Sequence, residues 1–106
     1  MFSTLSNIIK FRNLKNIEYH CKQVLELIKN NYPNDNSNYS LARIERSINH
    51  ILEQIEGNEA ITSTINLMDL TRHFGDDTGN YSDPILIELE HVHNKIKKIN
   101  KCSQQF

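Results

Sequence analysis

Tryptophan is missing from this chain, and among its 106 residues there are only two cysteines, two prolines and three glycines. Two thiols, Cys21 and Cys102, are too few for a disulfide framework, and neither has a partner at the short spacing of metal-binding pairs. Reduced thiols in a cytoplasmic protein are the expectation. No run of about eighteen apolar residues occurs, so no membrane-spanning helix is expected. The opening MFSTLSNIIKFRN has neither a long apolar stretch nor a small-residue cleavage site, which argues against a secretory signal. Missing too are a phosphate-cradling glycine loop and a nucleophile elbow. An excess of positive charge is also lacking. The net charge of −1 disfavours nucleic acid as the main partner, because non-specific phosphate binding runs on surplus Lys and Arg.

What is present is helical periodicity over one domain, residues 1–106. Leu14, Ile17, Cys21, Val24, Leu25, Ile28 and Tyr32 recur at steps of three and four, and Pro33 closes that helix. Leu5, Ile8 and Ile9 point to nearly the opposite side, which suggests a kink near Arg12 or a separate short N-terminal helix, usable as a dimerisation arm. A second helix follows the polar connector at 34–38, with Ser40 as its cap and Gly57 at its end. The third is expected over 58–74, stopped by Gly75. Asp83-Pro84 announces the fourth: aspartate caps, and proline takes the first helical position. Its seam is Ile85, Leu89, Val92, Ile96 and Ile99. No segment alternates with period two. The fold class is therefore all-α, a compact antiparallel four-helix bundle with a possible extra N-terminal helix.

The stretch HFGDDTGNYSDP, residues 73–84, concentrates the chemistry. Its acids do not follow the calcium-loop spacing. Glu88 with His91, and Glu90 with His93, form two Glu-x-x-His pairs, but both lie on one helix and their side chains diverge from its core seam, so no metal site or cofactor is expected. On the second helix, Arg43 and His50 share a polar face, and their Arg-x6-His spacing resembles that of the all-helical HEPN ribonucleases. That resemblance would make Arg43 and His50 the centre of an RNA-cleaving site, the enzymatic alternative to a chain otherwise read as non-enzymatic. The principal expectation is a protein-binding surface. Asp76, Asp77, Tyr81, Asp83, Ile87, Glu88 and His91 combine exposed apolar anchors with an acidic rim, the composition that suits a basic protein partner. Abundant asparagine hints at an AT-rich bacterial or phage genome. Small acidic-patch helical bundles commonly act by occupying another protein's surface, as many immunity proteins and phage inhibitors do, so an immunity or inhibitor protein against a basic toxin such as a nuclease is the leading reading, with a structural or regulatory homodimer as a third.

Overall fold

The computed structural model describes residues 2–33, 39–57, 61 and 67–104, with side chains placed between positions 12 and 99. Four helices follow in order: α1 (Phe2–Asn31), α2 (Tyr39–Glu56), α3 (Leu67–Thr78) and α4 (Pro84–Gln104). No strand occurs among the described residues. Each helix packs on two others among the described residues, in the cycle α1–α2–α3–α4–α1, and the backbones of the diagonal pairs stand farther apart. The bundle measures 50 × 21 × 20 Å. No helix among the described residues is long and apolar enough to cross a membrane.

The core is the stripe that periodicity traces. Ile17, Cys21 and Val24 of α1 meet Ile44, Ile48 and Ile51 of α2, Phe74 of α3, and Ile85, Leu89 and Val92 of α4, all essentially excluded from solvent. Each such aliphatic side chain contributes roughly 1.5–3 kcal/mol of transfer free energy. Leu14, Leu25, Ile28 and Ile96 are partly buried against the same cluster. The α1–α4 pair runs antiparallel. Tyr32, just past α1, bonds to Asp83, just before α4, while His20 in the middle of α1 meets Glu88 and His91 further along α4.

Several boundaries differ from expectation. The N-terminal segment is continuous with α1, which begins at Phe2. Ser40 lies inside the first turn of α2 and is buried, so the helix starts ahead of the expected cap. Helix α3 does not stop at Gly75. It runs on through Thr78, and Gly79 with φ of 72° takes the left-handed conformation that ends it. Nor does the third helix reach back to 58 as described: Ile61 is buried but not helical and α3 begins at Leu67, while 58–60 and 62–66, including Ile65, lie outside the described residues.

Candidate functional site

The turn between α3 and α4 is held by a chain of short-range hydrogen bonds, which is why a polar loop can keep one shape. Gly79 N–H donates to the Gly75 carbonyl at 2.7 Å, and the Thr78 hydroxyl to the Phe74 carbonyl at 2.8 Å. Asn80 and Ser82 close the next step through Ser82 N–H to Asn80 Oδ1 at 3.2 Å. Asp83 completes it. One carboxylate oxygen accepts from Ile85 N–H at 2.9 Å, capping α4, and the other accepts from the Tyr32 hydroxyl at 2.5 Å and from Asn80 Nδ2 at 3.3 Å.

Tyr81 rises from this turn. Its ring lies against Gly75, so closely that a Cβ on Gly75 would overlap ring carbons Cδ1 and Cε1. Its hydroxyl donates to Asp76 Oδ1. That bond raises the phenol above its ordinary value, because deprotonation would lose the bond and leave an anion beside an anion. Despite both attachments, the residue is 63% exposed. Gly75 thus has a task that the sequence did not suggest: inside a helix it makes room for an aromatic ring on the surface. Asp76 and Asp77 are exposed beside it, and Asp77 Oδ2 stands 3.7 Å from His73 Nε2.

The seven residues expected to form one surface divide into three groups. Asp76, Asp77 and Tyr81 form the exposed group at the end of α3 and the following turn. Ile87 and His91, one turn apart on the outward face of α4, are exposed as well. Asp83 is buried and Glu88 half-buried. Asp83 is 4% exposed, with both oxygens engaged inside the protein, where it holds the turn. Glu88 Oε2 accepts from His20 Nδ1 at 2.5 Å, a bridge between α4 and α1.

Sequence reading missed His20. It stacks on His91 with ring centroids 4.9 Å apart and an interplanar angle of 21°, and Tyr19 stands edge-on to it. Its position next to Cys21, at the border of the α1 core stripe, was the available signal. Border residues of two helices meet when those helices pack side by side. A second histidine centre lies across the bundle, on the α2–α3 side. Arg43 Nη1 is 3.1 Å from His73 Nδ1, and Tyr39 stands edge-on to the same imidazole. Arg43 therefore turns to α3, while His50 is exposed. The dimerisation residues Leu5, Ile8 and Ile9 lie on α1, with side chains outside the described set. Among the described residues, no three His, Cys, Asp or Glu side chains are grouped to hold a metal ion. A groove of about 440 Å³ between α1 and α2 is floored by Leu14, Leu52 and Ile55.

Comparison with protein-family models, curated proteins and solved structures finds no match for this chain.

Proposed function

We propose that the chain is a non-enzymatic protein-binding bundle whose partner-facing surface is the end of α3 and the turn that follows it. The observation that supports this reading is Tyr81. An aromatic side chain immobilised by Gly75 and Asp76 yet largely exposed has already lost the rotamer freedom that binding would otherwise remove, and such pre-ordered aromatics are typical anchors of interfaces. Glycine within a helix costs roughly 0.8–1 kcal/mol relative to alanine, a cost that packing an exposed ring does little to offset through burial. Asp76 and Asp77 beside the anchor suit a basic partner. Attraction between opposite charges would speed the encounter, and Tyr81 would supply the desolvated contact.

On this reading the biological role is inhibition by occlusion. The acidic turn would lie over the cationic substrate cleft of a basic protein, of the kind found in nuclease toxins, and compete with nucleic acid for it. Ile87 and His91 extend the surface along α4. Asp83 and Glu88 act from behind, by fixing the turn and the α1–α4 pair.

Immunity proteins are commonly encoded beside their targets, so the test is co-expression with the products of adjacent genes, followed by size-exclusion chromatography. A basic product should co-elute with the parent chain. The double reversal Asp76→Lys, Asp77→Lys should weaken the complex at least about tenfold without changing helix content, because two charges at the rim are reversed. Retention of full affinity by that variant would remove the turn from the interface.

A further inference from the structure

A net charge of −1 conceals a separation of charge. Residues 1–17 and 91–106 hold seven of the twelve Lys and Arg and none of the thirteen Asp and Glu. The rest of the chain carries five Lys or Arg and all thirteen acids, so +7 in two terminal stretches stands against −8 elsewhere. The fold puts the described residues of the two stretches at one end of the bundle. Because α1 and α4 are antiparallel, going back along α1 and forward along α4 from the His20–His91 contact leads in the same direction. Arg12 lies eight residues back and Lys98 seven residues on, both about 11 Å toward that end at 1.5 Å per residue.

Arg12, Lys97 and Lys98 are exposed there, with Asn16 and Asn94 between them and the His20–His91 contact. Among the described residues none of these three cations is ion-paired with an acid. The apolar residues described beside them, Leu14, Ile17, Ile96 and Ile99, belong to the core or pack against it. Exposed Glu56, at the end of α2, lines a groove with Leu14 and Lys15 and offsets part of the field on the α2 side, and the other acids do less. Glu18 is engaged by Lys22 at 2.9 Å and Glu88 by His20, and Asp83 lies about 22 Å from Lys98 along α4, beyond the ~8 Å screening length at physiological salt. Exposed Glu90 is closer, about 12 Å from Lys98.

We propose that this basic end of the α1–α4 pair binds the phosphate backbone of nucleic acid without reading its sequence. Lysine ammonium groups act as point charges on phosphates, and asparagine amides donate to phosphate and sugar oxygens, contacts that position a polyanion but carry no base information. A lipid surface fits less well. Interfacial helices bury an outward apolar face in the headgroup region, and among the described side chains no exposed one between Arg12 and Asn16 or between Asn94 and Lys98 is apolar; Leu5, Ile8 and Ile9 lie outside the described side chains, and the vesicle arm of the test decides for them. The surface is separate from the acidic turn, so one end of the molecule would hold a protein and the other a nucleic acid.

The test is fluorescence anisotropy of the full chain with a labelled DNA duplex and with labelled oligouridine RNA, beside co-sedimentation with phosphatidylserine vesicles. If about three phosphates are neutralised, duplex affinity should fall about 40-fold between roughly 50 and 200 mM salt. Lys97→Glu, Lys98→Glu should bind more than about tenfold more weakly and with a shallower salt dependence, since each lost phosphate contact lowers the slope by about one. Arg12→Glu on the facing helix should weaken binding as well, and it decides the matter if the double variant loses helix content. Asp76→Lys, Asp77→Lys should not weaken nucleic-acid binding, which separates this surface from the protein-binding one. The relative strength of the DNA and RNA arms identifies the source of the phosphates. The proposal is overturned if the parent binds neither nucleic acid near 50 mM salt, if it binds only the vesicles, or if the charge-reversed variants bind as tightly as the parent.

Discussion

Replacing Gly75 by alanine sets two effects of opposite sign against each other, and their sizes say which part of the structure yields. In a helix interior the substitution gains roughly 0.8–1 kcal/mol of propensity. Against that, the new methyl group would occupy the space of the Tyr81 ring at Cδ1 and Cε1. If the helix backbone had to give way, overpacking would cost about 1–3 kcal/mol. The obstacle, however, is the ring of an exposed residue on a surface turn, so the ring should swing out and the helix should stay. Unfolding free energy by urea denaturation should then remain within about 1 kcal/mol of the parent.

The displaced ring would lose its bond to Asp76, and the phenol would return from its raised value toward the ordinary value of about 10. Absorbance titration of tyrosinate, with Tyr81→Phe as the reference, reads this directly. The sign for stability follows from the same shift. A phenol raised by folding contributes stability that is fully present below its unfolded value and is lost as pH rises through its folded value. Gly75→Ala lacks this contribution, so the parent's advantage from it should be full below pH 10 and shrink as pH rises through the folded value, where the two stability curves differ in slope. Destabilisation by more than about 2 kcal/mol, or an unchanged Tyr81 titration, would refute the placement of the ring on Gly75.

Asp83→Ala removes a helix cap and leaves the Tyr32 hydroxyl without its acceptor, so a loss of about 2–4 kcal/mol is expected by urea denaturation, and a loss below about 0.5 would contradict the role given to this carboxylate. Cys21 is buried and its thiol is pushed up to about 12 by desolvation, so in a Cys102→Ser background a thiol reagent at pH 8 should label the chain only after denaturant is added. Arg43 can only donate, so neutral His73 should be the tautomer with its proton on Nε2, readable from nitrogen chemical shifts; a proton on Nδ1 would exclude the Arg43–His73 bond. Leu89→Ala at the centre of the α4 seam should cost about 2–5 kcal/mol by the same denaturation assay.

The sequence discloses some features better than others, for identifiable reasons. Steps of three and four marked Ile17, Cys21, Val24, Leu89 and Val92 as core, because burial of a helical stripe is a property of one helix at a time. Asp83-Pro84 marked the start of α4 because capping is local chemistry. Gly75 misled because glycine can end a helix or can make room within one, and only the position of Tyr81, six residues later, tells which. The burial of Asp83 and the engagement of Glu88 by α1 were invisible for a related reason. Their partners, Tyr32 and His20, lie 51 and 68 residues away, and no local pattern encodes such pairings. The basic end depends on the same kind of information, since its two halves stand at opposite ends of the chain and meet only because α1 and α4 are antiparallel.

The assignment of the partner-facing surface rests most heavily on the exposed turn that carries Tyr81. Its most direct test is a backbone-amide chemical-shift map of the isotopically labelled chain, free and bound to the basic protein with which it co-elutes. The largest changes should fall on Gly75 to Ser82 and continue on α4 to Ile87 and His91, leaving the exposed face of α2 around Arg46 and His50 unchanged. A footprint centred on α2, with the turn unperturbed, would contradict it.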